Sequence, residues 1–367
     1  MENAPLVDLN NLFDVEEVRL AAEKMMPENY KAFVNNVGME DTLRSDISAW
    51  SELRLRPRAL VDVSNIDTQV TVLGKRIAHP IIAAPFVGSS FIHPEGEVAT
   101  ARASVNANTI MTLSMNGHRG PEPIGEIAAG NYWQQIYWVQ DRSIVEDVVS
   151  RAVASGASAL CLTVDLPVMP SFPRPMREAF FSLFEYWDKE EHKFYVNSDY
   201  SDRPFGATFP NPGVTWKDLE WLQGLSKLPL ILKGVIREDD AVRARDHGVA
   251  GLIVSNHAGQ GLRYSQPVAH ALPAIVEAVG RDIEVFADSG IRTGFDALRA
   301  LALGAKAVLV GRPVLWGLAA GGTQGVERVF EILQAELEEA MAITGAPTIA
   351  AIDRSVLASS FTPRANG

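Results

Sequence analysis

The 367-residue sequence has a single cysteine, Cys161. No disulfide can close within the chain, and no multi-cysteine metal site is possible. That usage fits a reducing compartment, so a cytoplasmic protein is expected. Cys161 lies inside the apolar run "ALCLTVD" and reads as a buried, inert thiol. Positive charge is also short: 33 Lys and Arg stand against 45 Asp and Glu, a net charge of −12. A fold-wide basic footprint for nucleic acid is excluded, and an anionic ligand would need local cations. The apolar stretches stop well short of the ~18 residues that a membrane span needs, so no membrane partner is expected. The first residues, "MENAPLVDLNNLFDVEE", are acidic and lack the apolar centre of a signal peptide. The glycine-rich dinucleotide turn of a doubly wound sheet is missing too: "APFVGSSF" is not G-x-G-x-x-G.

What is present is a repeat of grammar. Eight short apolar runs occur: "HPIIAAPFV", "NTIMTLS", "YWQQIYW", "ALCLTVDLP", "LPLILKGV", "GLIVSNH", "IEVFADSG" and "AVLVGRP". They are continuous rather than alternating, as strands buried on both faces should be. Amphipathic segments separate them. "PEGEVATARASVNA" opens with proline and acids, and "DRSIVEDVVSRAVASG" ends in glycine. Strand–helix alternation repeated eight times predicts an α/β fold, a (β/α)8 TIM barrel, taking 1–367 as one domain. Residues 1–78 form an N-terminal cap, helical to about residue 52 and then a short hairpin. Residues 168–214, rich in proline, aromatics and charge, form a long insertion after the fourth strand. It leaves the rim where barrel active sites sit and reads as a lid; a disordered surface loop is the alternative.

In such a barrel, function sits at the carboxyl ends of the strands. Ser114 ends the second run. Gln135 and Tyr137 lie on the third, Thr163 and Asp165 on the fourth. Lys233 ends the fifth, Ser255 and His257 end the sixth, Asp288 the seventh, and Arg312 follows the eighth. One or two of these are compatible with satisfied core polars, and His257 alone reads that way. Ionisable groups on five strands converging at one mouth favour an active site. The turns "DSGIRTG" and "GRP" follow the seventh and eighth strands, the usual place for a phosphate, with Arg292 and Arg312 as charge-assisted donors. Lys233 on the inner rim suits a ligand that gains negative charge, as a reduced flavin does. The alternative is a lysine paired with a carboxylate such as Asp288.

These motifs, in this order, resemble the FMN-dependent 2-hydroxy-acid oxidase and dehydrogenase family, which includes glycolate oxidase, lactate oxidase and mandelate dehydrogenase. The resemblance spans about residues 20 to 350. It is carried by "RPRALVDVSNID", "HPEGEVATARA", "TIMTLS", "LTVDLP", "LPLILKGV", "IVSNH", "LGAKAVLVGRPV" and "LAAGG". It implies FMN as cofactor. Ser114, Gln135, Thr163 and Lys233 would contact the ring system, and Pro85, Phe86 and Val87 would line one face. Asp288, Ser289, Gly290, Arg292, Gly311 and Arg312 would hold the ribityl and phosphate groups, with Ser255 nearby. His257 matches the family's base, Asp165 its carboxylate partner and Tyr137 a tyrosine near the substrate. Lys233 would stabilise the reduced flavin. The resemblance also implies a homotetramer and an electron acceptor, oxygen or another.

The sequence departs from the family at the substrate. The family has an arginine three residues after the histidine; here Gln260 stands there, which can donate a hydrogen bond but cannot fork onto a carboxylate. A family tyrosine is replaced by Val34. The family's other carboxylate-binding arginine matches Phe172, with Arg174 two residues on. Each charge-assisted or buried bond is worth about 1.5–3 kcal/mol, so losing two costs on the order of 10²–10⁴ in affinity for a simple 2-hydroxy acid. Tyr30, Arg263 and Arg174 are the candidates to rebuild an anion site. Val87 is larger than the usual family residue and narrows the space beside the flavin. The expected activity is oxidation of a specialised α-hydroxy carbonyl compound, whether a larger 2-hydroxy acid, an ester, an amide or a ketone. A non-oxidative FMN isomerase, a catalytically retired flavin-binding protein and a flavin-free phosphate-sugar barrel are the alternatives.

Overall fold

The structure is a computed structural model that describes residues 7–36, 40–168, 174, 178 and 206–358. Its centre is a closed, all-parallel barrel of eight strands. Two short strands come first, β1 (Val70–Val72) and β2 (Lys75–Ile77), paired antiparallel. The barrel strands are β3 (Ile81–Ala83), β4 (Met111–Leu113), β5 (Tyr132–Tyr137) and β6 (Ala159–Thr163). They continue as β7 (Leu230–Val235), β8 (Gly251–Val254), β9 (Glu284–Ala287) and β10 (Ala307–Val310). β10 closes onto β3 through Val308–Ile81, Leu309–Ile82 and Val310–Ala83. Each of the eight predicted runs contains one of these strands. They bury side chains toward both the barrel axis and the surrounding helices, which is why they read as unbroken apolar runs.

The helices follow the expected order. α1 (Val15–Met25), α2 (Glu28–Asn36) and α3 (Glu40–Glu52) precede the barrel. Around it run α4 (Glu97–Asn106), α5 (Pro121–Ala128), α6 (Arg142–Ala154), α7 (Asp218–Gly224) and α8 (Glu238–Asp246). α9 (Val268–Val279), α10 (Gly294–Ala302) and α11 (Arg312–Thr344) complete the ring. Caps are local: Asp14 accepts from Glu17 N at 2.7 Å to start α1. α11 is bent at Gly321 and Gly322, whose backbone leaves helical values inside the "LAAGG" motif.

The two halves of the N-terminal segment go to opposite ends of the barrel. The β1–β2 hairpin plugs the amino-terminal end, where Val70, Val72 and Ile77 join Trp133, Ala159, Phe286 and Ala307 in a dry cluster. Leu73 N donates to the Glu284 carboxylate at 2.9 Å and fixes the hairpin there. α2 and α3 instead reach the carboxyl-terminal mouth. Cys161 is fully buried in the axial cluster, and burial pushes its thiol up to about 12, in accord with an inert thiol. Most of the insertion at 168–214, and with it the lid reading, lies outside the described residues. Among the described residues, no helix is long and apolar enough to cross a membrane.

Candidate active site

One cavity opens at the carboxyl-terminal mouth. Pro85, Phe86 and Val87 line it from the loop after β3, and Ser114 from β4. Gln135, Tyr137, Thr163 and Lys233 line it from β5, β6 and β7. His257 and Gln260 enter after β8, Asp288 to Arg292 after β9, and Gly311 and Arg312 after β10. The register explains the convergence: Tyr137, Thr163 and Lys233 are lateral neighbours on three adjacent strands. In-register neighbours face the same side of a sheet, so all three point to the axis.

Three polar arrays line this cavity. The first crosses β4 to β6. Ser114 Oγ donates to Gln135 Oε1 at 3.3 Å, Met115 N donates to the same oxygen at 3.0 Å, and Gln135 Nε2 donates to Thr163 Oγ1 at 2.9 Å. Gln135 is thereby held flat along the wall. The second is cationic and central. Lys233 Nζ lies 3.1 Å from Asp288 Oδ2 and donates to Ser255 Oγ at 3.0 Å. Burial works against the Lys233 charge, but Asp288 and Asp165 outweigh it and hold the ammonium well above its ordinary range. The pairing of Lys233 with Asp288 is present, and Lys233 also lines the cavity. Ser255 sits beneath it, buried, behind the cavity wall.

The third array is the His257–Asp165 pair. His257 Nδ1 and Asp165 Oδ1 are 2.9 Å apart although 92 positions separate them. Burial alone would raise the Asp165 carboxyl; His257 and Lys233 overcome it and hold it below the usual range. An ionised Asp165 takes the Nδ1 proton, and in the neutral imidazole this tautomer presents Nε2 as an acceptor. Gly234 makes the pair possible. It sits at a bulge in β7 with φ +105°, and a Cβ there would lie 2.5 Å from Asp165 Cγ. Only a residue without a side chain leaves room for that carboxylate. Tyr137 lines the same end, and burial pushes its phenol up so that it stays protonated.

The opposite end of the cavity is built for an anion. A capping box at Thr293 and Asp296 opens α10, and the Asp296 carboxylate also accepts from Arg292 N at 3.1 Å. Arg292 donates to Ile291 O at 2.8 Å and stacks over Trp316 at 5.3 Å. Arg312, the first residue of α11, donates from Nε to Val34 O at 3.0 Å. Burial lowers Arg292 to about 10. It lowers Arg312 to about 9, with Arg292 adding to the fall. Two partly buried guanidiniums that repel each other beside a helix N-terminus suit a dianion such as a phosphate. The polar wall of Ser114, Gln135 and Thr163 fits the heteroatom edge of a flat ring. The residues present therefore suit FMN.

Three expected substrate ligands are not brought to the cavity. Tyr30 is fully buried and donates its hydroxyl to Val87 O at 3.1 Å, so its oxygen serves the loop behind the wall. Arg263 is exposed, because the turn after Gln260 swings outward and carries Leu262 and Tyr264 into solvent. Arg174 is 84% exposed and pairs with Glu178 at 2.8 Å. Val34 does line the cavity, and it contributes a carbonyl to Arg312 rather than a hydroxyl to substrate. Asn116 was missed by sequence reasoning. It lines the cavity two residues past Ser114, and its amide donates to Ser114 Oγ at 3.1 Å. The position after a strand end was the signal that could have found it.

Fold and site together define a barrel with a histidine–carboxylate pair at the mouth of a cavity whose lining suits FMN. The family model for FMN-dependent dehydrogenases matches residues 21–359. An L-lactate oxidase of Nostoc sp. is 41% identical over 357 residues, covering 95% of this chain and 97% of that protein. Glycolate oxidase of Spinacia oleracea is 37% identical, covering 95% and 96%. A mandelate oxidase crystal structure superposes with TM-score 0.84 at 34% identity over 93% of this chain and 97% of the other. The chain belongs to the FMN-dependent dehydrogenase family, and it is an FMN-dependent oxidoreductase acting on CH–OH groups.

Proposed function

We propose that this enzyme prefers an α-hydroxy carbonyl compound whose carbonyl group carries no full negative charge, such as an amide, ester or ketone, over a 2-hydroxy acid. The observation that carries the reading is the cation inventory. Among the described residues, the lysines and arginines that line the cavity are Lys233, Arg292 and Arg312. Lys233 is paired with Asp288, and the two arginines sit at the phosphate end. Gln260 and Val34 stand where the family resemblance implies an arginine and a tyrosine for a substrate carboxylate. A neutral amide can hydrogen-bond a neutral carbonyl without the cost of facing an unpaired carboxylate. An arginine-to-leucine variant of mandelate oxidase was solved with 2-hydroxy-phenylacetamide, an amide of this class.

In this reading His257 Nε2 accepts the proton of the substrate hydroxyl, and Asp165 stabilises the imidazolium that forms. Tyr137 donates to a substrate oxygen. Lys233 keeps a fixed positive charge against the cavity wall. FMN held along the Ser114, Gln135 and Thr163 wall would supply the two-electron acceptor, with oxygen or another electron acceptor as second substrate. A cytoplasmic homotetramer belongs to the same proposal; sedimentation of the holoenzyme as a monomer would remove the tetramer.

The test is anaerobic bleaching of the bound FMN by a matched panel: mandelamide, methyl mandelate and a hydroxy ketone against mandelate, lactate and glycolate. The neutral compounds should bleach it faster. Gln260→Arg should then raise the rate with mandelate about tenfold, the worth of one charge-assisted bond. Fastest bleaching by lactate or glycolate in the wild type overturns the reading.

A further inference from the structure

α3 lies outside the barrel, yet it buries three residues one turn apart against the mouth: Thr42, Asp46 and Trp50. Spacing of four places them on one helical face. Each grips a different part of the site. Thr42 Oγ1 accepts from Tyr264 N at 3.1 Å, beyond the base-bearing turn. Trp50 Nε1 donates to Ser289 O at 2.9 Å, in the phosphate turn. Asp46 stands between them. Its two oxygens accept from Asn256 Nδ2 at 2.8 and 2.9 Å, and Oδ1 also accepts from Val268 N at 3.2 Å, at the start of α9. The phosphate turn lies directly on it: a Cβ at Gly290, where φ is +82°, would meet Asp46 Cβ at 2.8 Å.

Asn256 passes this grip to the histidine. Its Oδ1 accepts from Ala258 N at 3.0 Å. His257 and Ala258 both adopt left-handed backbone, with φ of 55° and 52°. Residues with a Cβ avoid that region, and such a turn persists only when its surroundings over-determine it. The left-handed turn is what delivers His257 to Asp165. Without a fixed Asn256, the backbone at 257–258 has an easier conformation available.

We propose that Asp46 is a positioning residue for His257: through Asn256 it locks the left-handed 257–258 turn that seats the imidazole on Asp165, and through α3 it ties that turn to the phosphate turn. The proposal rests on the reading of His257 as proton acceptor. The surroundings of Asp46 are consistent with the role. Burial raises its carboxyl to about 6, against the pull of Asn256 and Val268 N. Asp288 adds to the rise and Arg312 opposes it. The clamp is therefore ionised at pH 8, where it is best tested.

The experiment uses FMN-loaded enzyme with mandelamide as probe and 13C-labelled histidine as a second readout. The His257 resonance is assigned by its absence from His257→Asn. In Asp46→Ala, the resonance should move away from its wild-type position. Anaerobic bleaching at saturating mandelamide should slow about 100-fold, the effect of misplacing a reacting group, with half-saturation little changed. Asn256→Asp sets two carboxylates face to face and should do the same. The exchange Asp46→Asn with Asn256→Asp restores a donor opposite an acceptor and keeps the acceptors for Val268 N and Ala258 N, losing only the long 3.3 Å bond from Asn256 Nδ2 to Gln266 O. It should recover the wild-type resonance and a rate within about threefold, since the two sites act as one unit. An unmoved resonance in Asp46→Ala overturns the proposal. So does failure of the exchange variant to recover the resonance, whether or not the single variants fold. A moved resonance with unchanged bleaching upholds the positioning and refutes His257 as the base.

Discussion

The two ends of this barrel are made from the same eight strands and differ in almost every other respect. At the amino-terminal end the axis is filled by Val70, Val72 and Ile77 from the hairpin against Trp133 and Phe286, whose rings lie 5.4 Å apart. At the carboxyl-terminal mouth the same axis carries Gln135, Thr163, Lys233, Asp165 and His257, each tied to a partner on another strand. One end excludes water and ligands by packing. The other buries charge and leaves space beside it. Burying charge is costly unless it is paired or awaits an ion, so the mouth is tolerable only because its groups are matched and a phosphate completes them.

If the division is real, changes at the two ends fail in different ways. His257→Asn should slow anaerobic FMN bleaching by about 10³-fold, in the range of a lost general base, and leave the melting temperature and FMN content nearly as they were. Trp133→Ala should do the reverse. Loss of the largest ring in the plug should cost about 3–5 kcal/mol in urea unfolding, while bleaching per folded, FMN-loaded molecule is unchanged. A large loss of rate per folded molecule would break the comparison. Gly234→Ala sharpens it, because the substitution is small and lies on a strand. Its Cβ would collide with Asp165, so the rate should fall on the order of 100-fold, with far less loss of stability than the Trp133 variant.

The smallest effect is one of pH on the cofactor. Arg312 and Arg292 are lowered to about 9 and 10 in the folded chain without a ligand, and a bound phosphate returns them upward. FMN binding should therefore take up protons at pH 9–10, and affinity should weaken on the order of tenfold between pH 8 and pH 10. The unfolded chain keeps these protons to higher pH, so the apoprotein gains stability relative to it as pH rises from about 9. Titration calorimetry in buffers of different ionisation enthalpy reads the proton uptake directly. No uptake would mean that the two arginines do not hold the phosphate.

The strands were legible in the sequence because burial on two faces removes polar residues from every position, and that leaves a one-dimensional trace. The polar residues at their ends were legible for the same reason, as breaks in an apolar run. Ser114, Gln135, Thr163, Lys233, Asp288 and Arg312 all line the cavity as expected. Tyr30, Arg263 and Arg174 do not, and nothing in their spacing could have told. A hydroxyl captured by the Val87 carbonyl, or a turn that faces outward after Gln260, depends on contacts with distant segments. Asp46 was invisible for the opposite reason. It lies in an ordinary amphipathic helix, where a single acid looks like surface.

The sequence by itself determined the barrel, the end at which chemistry would sit, and the strand-borne groups that reach it, because strand period and strand order are local properties. The resemblance also implies that Gln260 and Val34 stand where the family carries an arginine and a tyrosine. Only the tertiary structure decided that His257 meets Asp165 across 92 positions, that Gly234 must be bare to allow it, and that a helix outside the barrel grips both turns of the site. Those are matters of closure and direction. A strand of given sequence can point its end residue at a neighbour only after the barrel has set the neighbour's distance, and a left-handed turn exists only where other elements hold it.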